Sequence, residues 1–243
     1  MRITVAGGCG AWPEAGRACS GYLVERDGFR VLIDPGYGTF TALRGPVDAV
    51  LVSHGHPDHC ADLNPLLRER ALGAGDPPVL PVHAPSGALD AVLALDAPHM
   101  LAGAYRLVEF SPGDRFEIGP FAVETRLLPH FVPNAGMRLS AGGRALAYTG
   151  DTGPSPLIAE LAADADVLLA EATFPDRVEP AADAPYLSTA AQAGQHAREA
   201  GAGRLVLTHL WPGVQPEAAL AAARPHYTGR IDVALPGLAL DLG

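Results

Sequence analysis

The chain contains no lysine. Its 17 basic residues are all arginines, set against 27 acidic ones, for a formal net charge of −10. No basic run stands out, so the electrostatic footprint of a nucleic-acid-binding surface is missing. The lack of lysine is read as genome composition rather than function. Cysteine is scarce: Cys9, Cys19 and Cys60 are odd in number and lack metal-finger spacing, which argues against a disulfide framework. No apolar run approaches the roughly 18 residues of a membrane span. The first residues, "MRITVAGG", enter a strand-like pattern without a basic segment and a long apolar stretch, so no signal peptide and a cytoplasmic location are expected. What remains is 243 residues, 48% of them hydrophobic, enough for one large domain or two small ones with a sizeable core.

Short β-rich runs alternate with Ala- and Leu-rich segments. Strands are expected at 2–6, 21–26, 29–33, 48–52, 79–83, 105–110, 115–118, 121–128, 137–140, 144–149, 166–170, 204–208 and 231–234. Helices are expected near 59–72, 86–95, 155–163, 188–200 and 215–223, with Ser188 and Thr189 as caps of the fourth. Buried strands separated by helices argue a layered α/β fold. The strands fall into two batches, one through about residue 128 and one from about 137. Two facing sheets with helices outside would bring loops from both halves to one edge.

Histidine breaks the spare pattern. Three of the nine fall within "VSHGHPDHC", as His54, His56 and His59, with Asp58 among them. A strand ends near Ser53, and residues two apart in extended backbone point the same way, so His54 and His56 can bind one ion. Pro57 disfavours the α region at His56 and keeps that pair extended. The chain then turns into a helix, aiming Asp58 and His59 at a second ion, while Gly55 permits close backbone approach. Three more ligand types each end an expected strand: His130 in "LLPHF", Asp151 in "AYTGDTG" and His209 in "LVLTHL". Asp151 has two oxygens and can bridge. The expected first site is His54, His56, His130 and Asp151; the second is Asp58, His59, His209 and Asp151. Imidazole and carboxylate without thiolate suit zinc, manganese or iron. Taken singly, His130 or His209 would be read as structural; only the ensemble makes them ligands. His83, His99, His196 and His226 match no ligand position and are read as surface or core histidines. Cys60 is read as a small buried residue.

This pattern resembles the metallo-β-lactamase superfamily over nearly the whole chain, from "RITVAGG" and "VLIDPG" through "SHGHPDH", "LPH", "YTGDT" and "LTHLWPG". The resemblance implies a four-layer αββα sandwich over a single domain, 1–243, with a metal site at one edge of the two sheets. It also implies two divalent ions, zinc first with manganese and iron as alternatives, and an Asp34 that supports the histidine loop from behind. Within the superfamily, "SGYL" (20–23), "GMR" (136–138) and "AEATF" (170–174) are similar to the ribonuclease Z and cyclic-nucleotide phosphodiesterase branch. Arg138 is then either a phosphate contact or a structural ion pair.

Two divalent ions about 3.5–4 Å apart share a hydroxide nucleophile at neutral pH. Asp58 can orient it as well as bind metal. The centre keeps a net positive charge after its carboxylates and hydroxide are counted, so the mouth draws a small anionic substrate despite the acidic chain. The departures from the branch matter. No insertion resembles the arm with which ribonuclease Z grips tRNA, so no tRNA partner is expected. Ala170 replaces the histidine of the His-Glu-Ala-Thr run, though Glu171 remains. Tyr186, in "PYLSTA", stands where the branch carries a general-acid histidine. An ordinary tyrosine pKa near 10 makes it a weaker proton donor. Either Tyr186 or Glu171 assists the leaving group, or the substrate has a better leaving group, or Tyr186 only packs. The expectation is a hydrolase of a small phosphodiester such as a 3′,5′-cyclic nucleotide, without membrane association and with a homodimer as the branch often forms. The alternatives are hydrolysis of lactones or other carboxylic esters, a decayed metal- or nucleotide-binding protein, and, less favoured given the second-site ligands, a mononuclear iron oxygenase.

Overall fold

In a computed structural model, which describes residues 1–97 and 99–243, the β-rich runs form two mixed sheets packed face to face. The first takes β1 (Arg2–Cys9), β2 (Ala18–Cys19), β3 (Gly21–Arg26), β4 (Phe29–Ile33), β5 (Ala49–Leu51), β6 (Leu80–Pro85) and β7 (Tyr105–Phe110). The second takes β8 (Arg115–Ile118), β9 (Phe121–Leu128), β10 (Asn134–Ala141), β11 (Arg144–Tyr148), β12 (Val167–Glu171), β13 (Arg204–Thr208) and β14 (Arg230–Val233). The last strand, β15 (Ala239–Asp241), returns to pair with β1. The sheet orders are β15-β1-β3-β4-β5-β6-β7, with β2 beside β1, and β14-β13-β12-β11-β10-β9-β8.

Alternation decides what each face meets. Inward residues of both sheets, among them Val5, Tyr22, Ile33, Val123, Met137, Leu139, Tyr148 and Val206, share one buried layer. On the outer face of the first sheet lie α1 (Thr39–Ala42), α2 (Pro57–Cys60), α3 (Leu63–Leu72) and α4 (Asp90–Leu93), with Leu63 and Leu67 packed over Leu32, Val50 and Val82. On the second lie α5 (Pro156–Leu161), α6 (Ala190–Glu199) and α7 (Pro216–Ala223), an alanine-rich layer that lets the helices approach closely. The result is an αββα sandwich. Thr189, not Ser188, caps α6, in a reciprocal capping box with Gln192.

Three expectations are corrected. The sheet boundary falls between β7 and β8, not after residue 128: β8, β9 and β10 are successive antiparallel partners in the second sheet. The crossing runs through the Ser111–Asp114 turn, where the Asp114 N–H reaches the Ser111 carbonyl at 2.9 Å; nothing local distinguishes it from a hairpin turn. The single helix at 59–72 is two, α2 and α3, because the Asp62 N–H leaves the helical ladder to donate to the Pro35 carbonyl at 2.9 Å, while its carboxylate accepts the Phe40 N–H. The helix at 86–95 shrinks to one turn, α4.

Direction places the site. β4, β5, β6 and β7 are mutually parallel, as are β11, β12, β13 and β14. β9, two antiparallel steps from β11, runs the same way. Loops after β4, β5, β9, β11 and β13 therefore all emerge at one edge, the carboxyl end where open α/β sheets collect ligands.

Candidate metal centre

Each expected ligand leaves one of those strand ends. His54, His56, Asp58 and His59 follow β5, His130 follows β9, Asp151 follows β11 and His209 follows β13. His56 is the extended N-cap of α2 and Pro57 its first residue, so the chain turns within one residue from strand-like to helical. Asp34 and His209 hold left-handed backbone, φ 50° and 57°, a conformation that costs a non-glycine residue of order 1–3 kcal/mol and concentrates at functional sites.

The structure brings all seven residues together in two groups that share Asp151: His54, His56, His130 and Asp151, and Asp58, His59, Asp151 and His209. In the first, the His56 Nδ1 lies 3.1 Å from both the His54 and His130 Nε2 atoms, and each of those is 3.8 Å from Asp151 Oδ2. In the second, His209 Nε2 is 3.1 Å from Asp58 Oδ2 and 3.0 Å from Asp151 Oδ2. His59 Nε2 is 3.6 Å from Asp58 Oδ2 and 3.2 Å from Asp151 Oδ1. Tetrahedral bonds of about 2.0–2.1 Å place neighbouring donor atoms about 3.4 Å apart, the middle of this range. His59 Nε2 and Asp151 Oδ1 are buried with no hydrogen-bond partner. Two such orphaned atoms facing each other are costly unless a cation satisfies both. The donor set therefore fits a metal, of the zinc, manganese or iron kind.

Partners behind the cluster fix which imidazole nitrogen faces inward. Asp34, fully buried, accepts hydrogen bonds from the Ser53 N–H (2.7 Å), the Ser53 hydroxyl (2.6 Å), His59 Nδ1 (2.8 Å) and the Tyr148 hydroxyl (2.8 Å). Because the Ser53 hydroxyl gives its proton to Asp34, it accepts from His54 Nδ1 at 3.0 Å. His130 Nδ1 donates to the Tyr186 carbonyl at 3.0 Å. His209 Nδ1 donates to Thr173 Oγ1 at 3.0 Å, and that hydroxyl donates on to Glu171 at 2.5 Å. With Nδ1 so engaged, four imidazoles turn Nε2 toward the cluster, and His56 turns Nδ1.

Charge reinforces this. Burial, then the neighbouring His59, hold His54 well below the ordinary histidine range, and burial lowers His56 and His130. Burial opposes ionisation of Asp58 and Asp151, yet the surrounding imidazoles hold both below the usual carboxylate range. Burial opposes charge on His59 and His209 as well, yet Asp151 and Asp58 raise both, so these two imidazoles give up a proton when metal binds, whereas His54, His56, His130 and the two carboxylates already hold the forms that bind it.

The structure sets two of the expected residues apart from the cluster. The Arg138 guanidinium is engaged elsewhere: it donates to the carbonyls of Leu161 (3.1 Å) and Ala163 (2.8 Å), closing the end of α5 on the outer face of the sheet. Arg138→Ala should cost about 1 kcal/mol of stability in denaturant titration and leave turnover within twofold. Glu171 does not reach the cluster. Buried at 1% exposure, it accepts from the Thr152 N–H, the Thr173 hydroxyl and the Ser188 N–H. Burial, then the Asp151 charge, push its carboxyl up to about 8, against the pull of His209, the Thr152 N–H and the Thr173 hydroxyl. Its link to His209 runs through the Thr173 hydroxyl. Tyr186 is at the rim: its carbonyl orients His130, while its ring, 40% exposed, packs 4.9 Å from Phe131.

Sequence reasoning missed Ser53, Tyr148 and Thr173, whose roles depend on distant partners, and the Ala11 N–H, which donates to Asp58 Oδ2 at 2.8 Å. A backbone donor leaves no signal in residue identity.

Residues 29–210 match the family model described as a beta-lactamase superfamily domain. A probable metallo-hydrolase of Bacillus subtilis, YhfI, is 30% identical over 98% of both chains; its crystal structure superposes with a TM-score of 0.88 over 98% of both, at 27% identity. A ribonuclease Z of Haloferax volcanii is 30% identical over all of this chain and 95% of its own. The short form of human tRNase Z shares the fold, with a TM-score of 0.80 over the full length of both chains at 24% identity.

Proposed function

The chain belongs to the beta-lactamase superfamily and is a metal-dependent hydrolase; we propose that its centre holds two divalent ions, zinc first, and that it hydrolyses a small phosphodiester, 3′,5′-cyclic nucleotides foremost. The observation that carries this reading is the pair of ligand groups sharing the buried Asp151. Ions held there supply Lewis acidity and bring the pKa of water down to about 7. The chain's own part is positional. Asp58, pinned by the Ala11 N–H and facing His209, is placed to orient the attacking water. Asp34, Ser53 and Thr173 hold the imidazoles in one tautomer. Ribonuclease Z among the relatives favours phosphodiester over carboxylic ester. The acidic, lysine-free chain keeps tRNA outside the proposal, and a cytoplasmic homodimer acting on a small anion is part of the same reading.

Leaving-group assistance falls to Tyr186, whose carbonyl holds His130 and whose exposed ring packs on the neighbouring Phe131 at the rim. Tyr186→Phe should lower kcat on an unactivated phosphodiester by about 10²-fold and leave a nitrophenyl ester, whose leaving group needs no acid, nearly unchanged. Full rate on both would remove the tyrosine from the mechanism.

The direct test incubates protein reconstituted separately with zinc and manganese with 3′,5′-cyclic AMP and follows 5′-AMP by chromatography, beside Asp58→Ala. Turnover lost in the variant is expected. No turnover by protein shown to hold two ions would sink the substrate, and carboxylic acid released from lactones or esters would support the rival hydrolysis.

A further inference from the structure

The chain has only two tryptophans, and both lie on loops that carry or hold proposed metal ligands, with their rings in contact with each other. Trp12 and Trp211 meet edge to face, ring centroids 5.2 Å apart, and Trp211 is stacked on Phe174 at 5.7 Å. Each is tied by backbone to a proposed metal ligand. Trp12 follows Ala11, whose N–H holds Asp58. Trp211 comes two residues after His209, and its own N–H donates to the carbonyl of Thr173, the residue that fixes the His209 ring. The two loops are joined: the Gly10 N–H donates to the Leu210 carbonyl at 2.9 Å, and the Leu210 N–H to Gly8 at 3.3 Å. Gly10 lies so close to the His209 ring that a Cβ there would sit 2.9 Å from it. Ala11 turns the chain in left-handed backbone, φ 57°, at a cost of about 1–2 kcal/mol. Yet after this anchoring Trp12 remains 49% exposed. A large aromatic ring held rigidly and left half in water is poorly explained by core packing.

We propose that Trp12, backed by Trp211 and Phe174, is a stacking platform for a planar aromatic ring of the substrate, a nucleobase carried on the phosphodiester, and so a specificity-determining residue. It rests on the phosphodiesterase reading for the group cleaved but not for the ring bound. An aromatic face stacks on any base and prefers a base to a bare sugar, at a gain that alanine substitution reads as roughly tenfold in affinity. The ring therefore selects nucleotides over sugar or alkyl phosphodiesters without selecting strongly among bases.

Because both tryptophans are in the pair, intrinsic fluorescence reports it without background from elsewhere in the chain. With zinc-reconstituted protein, 5′-AMP should quench tryptophan emission and ribose 5-phosphate should not. In equilibrium dialysis Trp12→Ala should weaken 5′-AMP binding about tenfold and leave ribose 5-phosphate unchanged, with Trp12→Phe recovering most of the loss. Equal 5′-AMP affinity in Trp12→Ala and the parent would overturn the platform. So would parallel loss of both ligands, the pattern expected if the substitution only disturbed Asp58 through Ala11. Cyclic AMP turnover separates the two readings. Quenching by 5′-AMP without turnover contradicts the phosphodiester reading and leaves the platform standing. Turnover with the same KM in Trp12→Ala contradicts the platform and leaves the phosphodiester reading standing.

Discussion

Asp151→Ala is expected to lower bound metal from two ions per chain to one or none, and turnover by at least about a thousandfold, ~4 kcal/mol of transition-state stabilisation. Asp151 is the residue common to both ligand groups. Oδ2 faces His54 and His130 at 3.8 Å and His209 at 3.0 Å, and Oδ1 faces His59 at 3.2 Å. Alanine removes the carboxylate common to both groups and leaves four imidazoles crowded without that counter-charge. Elemental analysis after reconstitution and dialysis reads the stoichiometry, with circular dichroism to establish that the variant is folded. Two ions retained, with turnover within tenfold of the parent, would mean that Asp151 bridges nothing.

Asp34→Ala should act through stability first. Asp34 stands outside both ligand groups, yet its two oxygens accept four hydrogen bonds, from Ser53 twice, His59 and Tyr148. Removing a fully buried charge acceptor while leaving its donors in place costs about 3–5 kcal/mol, which for a chain of this size lowers Tm by about 10 °C or more. Metal affinity should fall by about 10–100-fold, the usual effect of losing a partner behind a metal-binding histidine, because the His59 and His54 rings both lose their orientation. Melting curves with and without metal separate the two effects. The variant should be destabilised in both, and metal should raise Tm less than it does in the parent. Parent-like melting in the metal-free protein would show that Asp34 carries no structural charge.

The ligands are legible in the sequence because the chemistry is concentrated. Three imidazoles and a carboxylate within six residues, where a strand turns into a helix at Pro57, are hard to account for without a metal, and His130, Asp151 and His209 each close a β-rich run. Alternation likewise makes most strands legible. What stays hidden depends on partners far away in the chain. Arg138 reads as a phosphate contact from its place shortly after a ligand; only the packing of α5 on β10 shows its guanidinium satisfied by Leu161 and Ala163. Glu171 reads as catalytic from its short motif, and only the fold shows Thr173 standing between it and His209. The passage from one sheet to the other at Ser111–Asp114 carries no local mark, because a turn that closes a hairpin and a turn that changes sheet use the same residues.

The most direct measurement is anomalous diffraction at the zinc edge from crystals of the reconstituted protein. Two peaks about 3.5–4 Å apart are predicted, one among His54, His56 and His130, the other among Asp58, His59 and His209, with Asp151 between them. A single peak would contradict a dinuclear centre, and two peaks that do not share Asp151 would contradict its place between the ions.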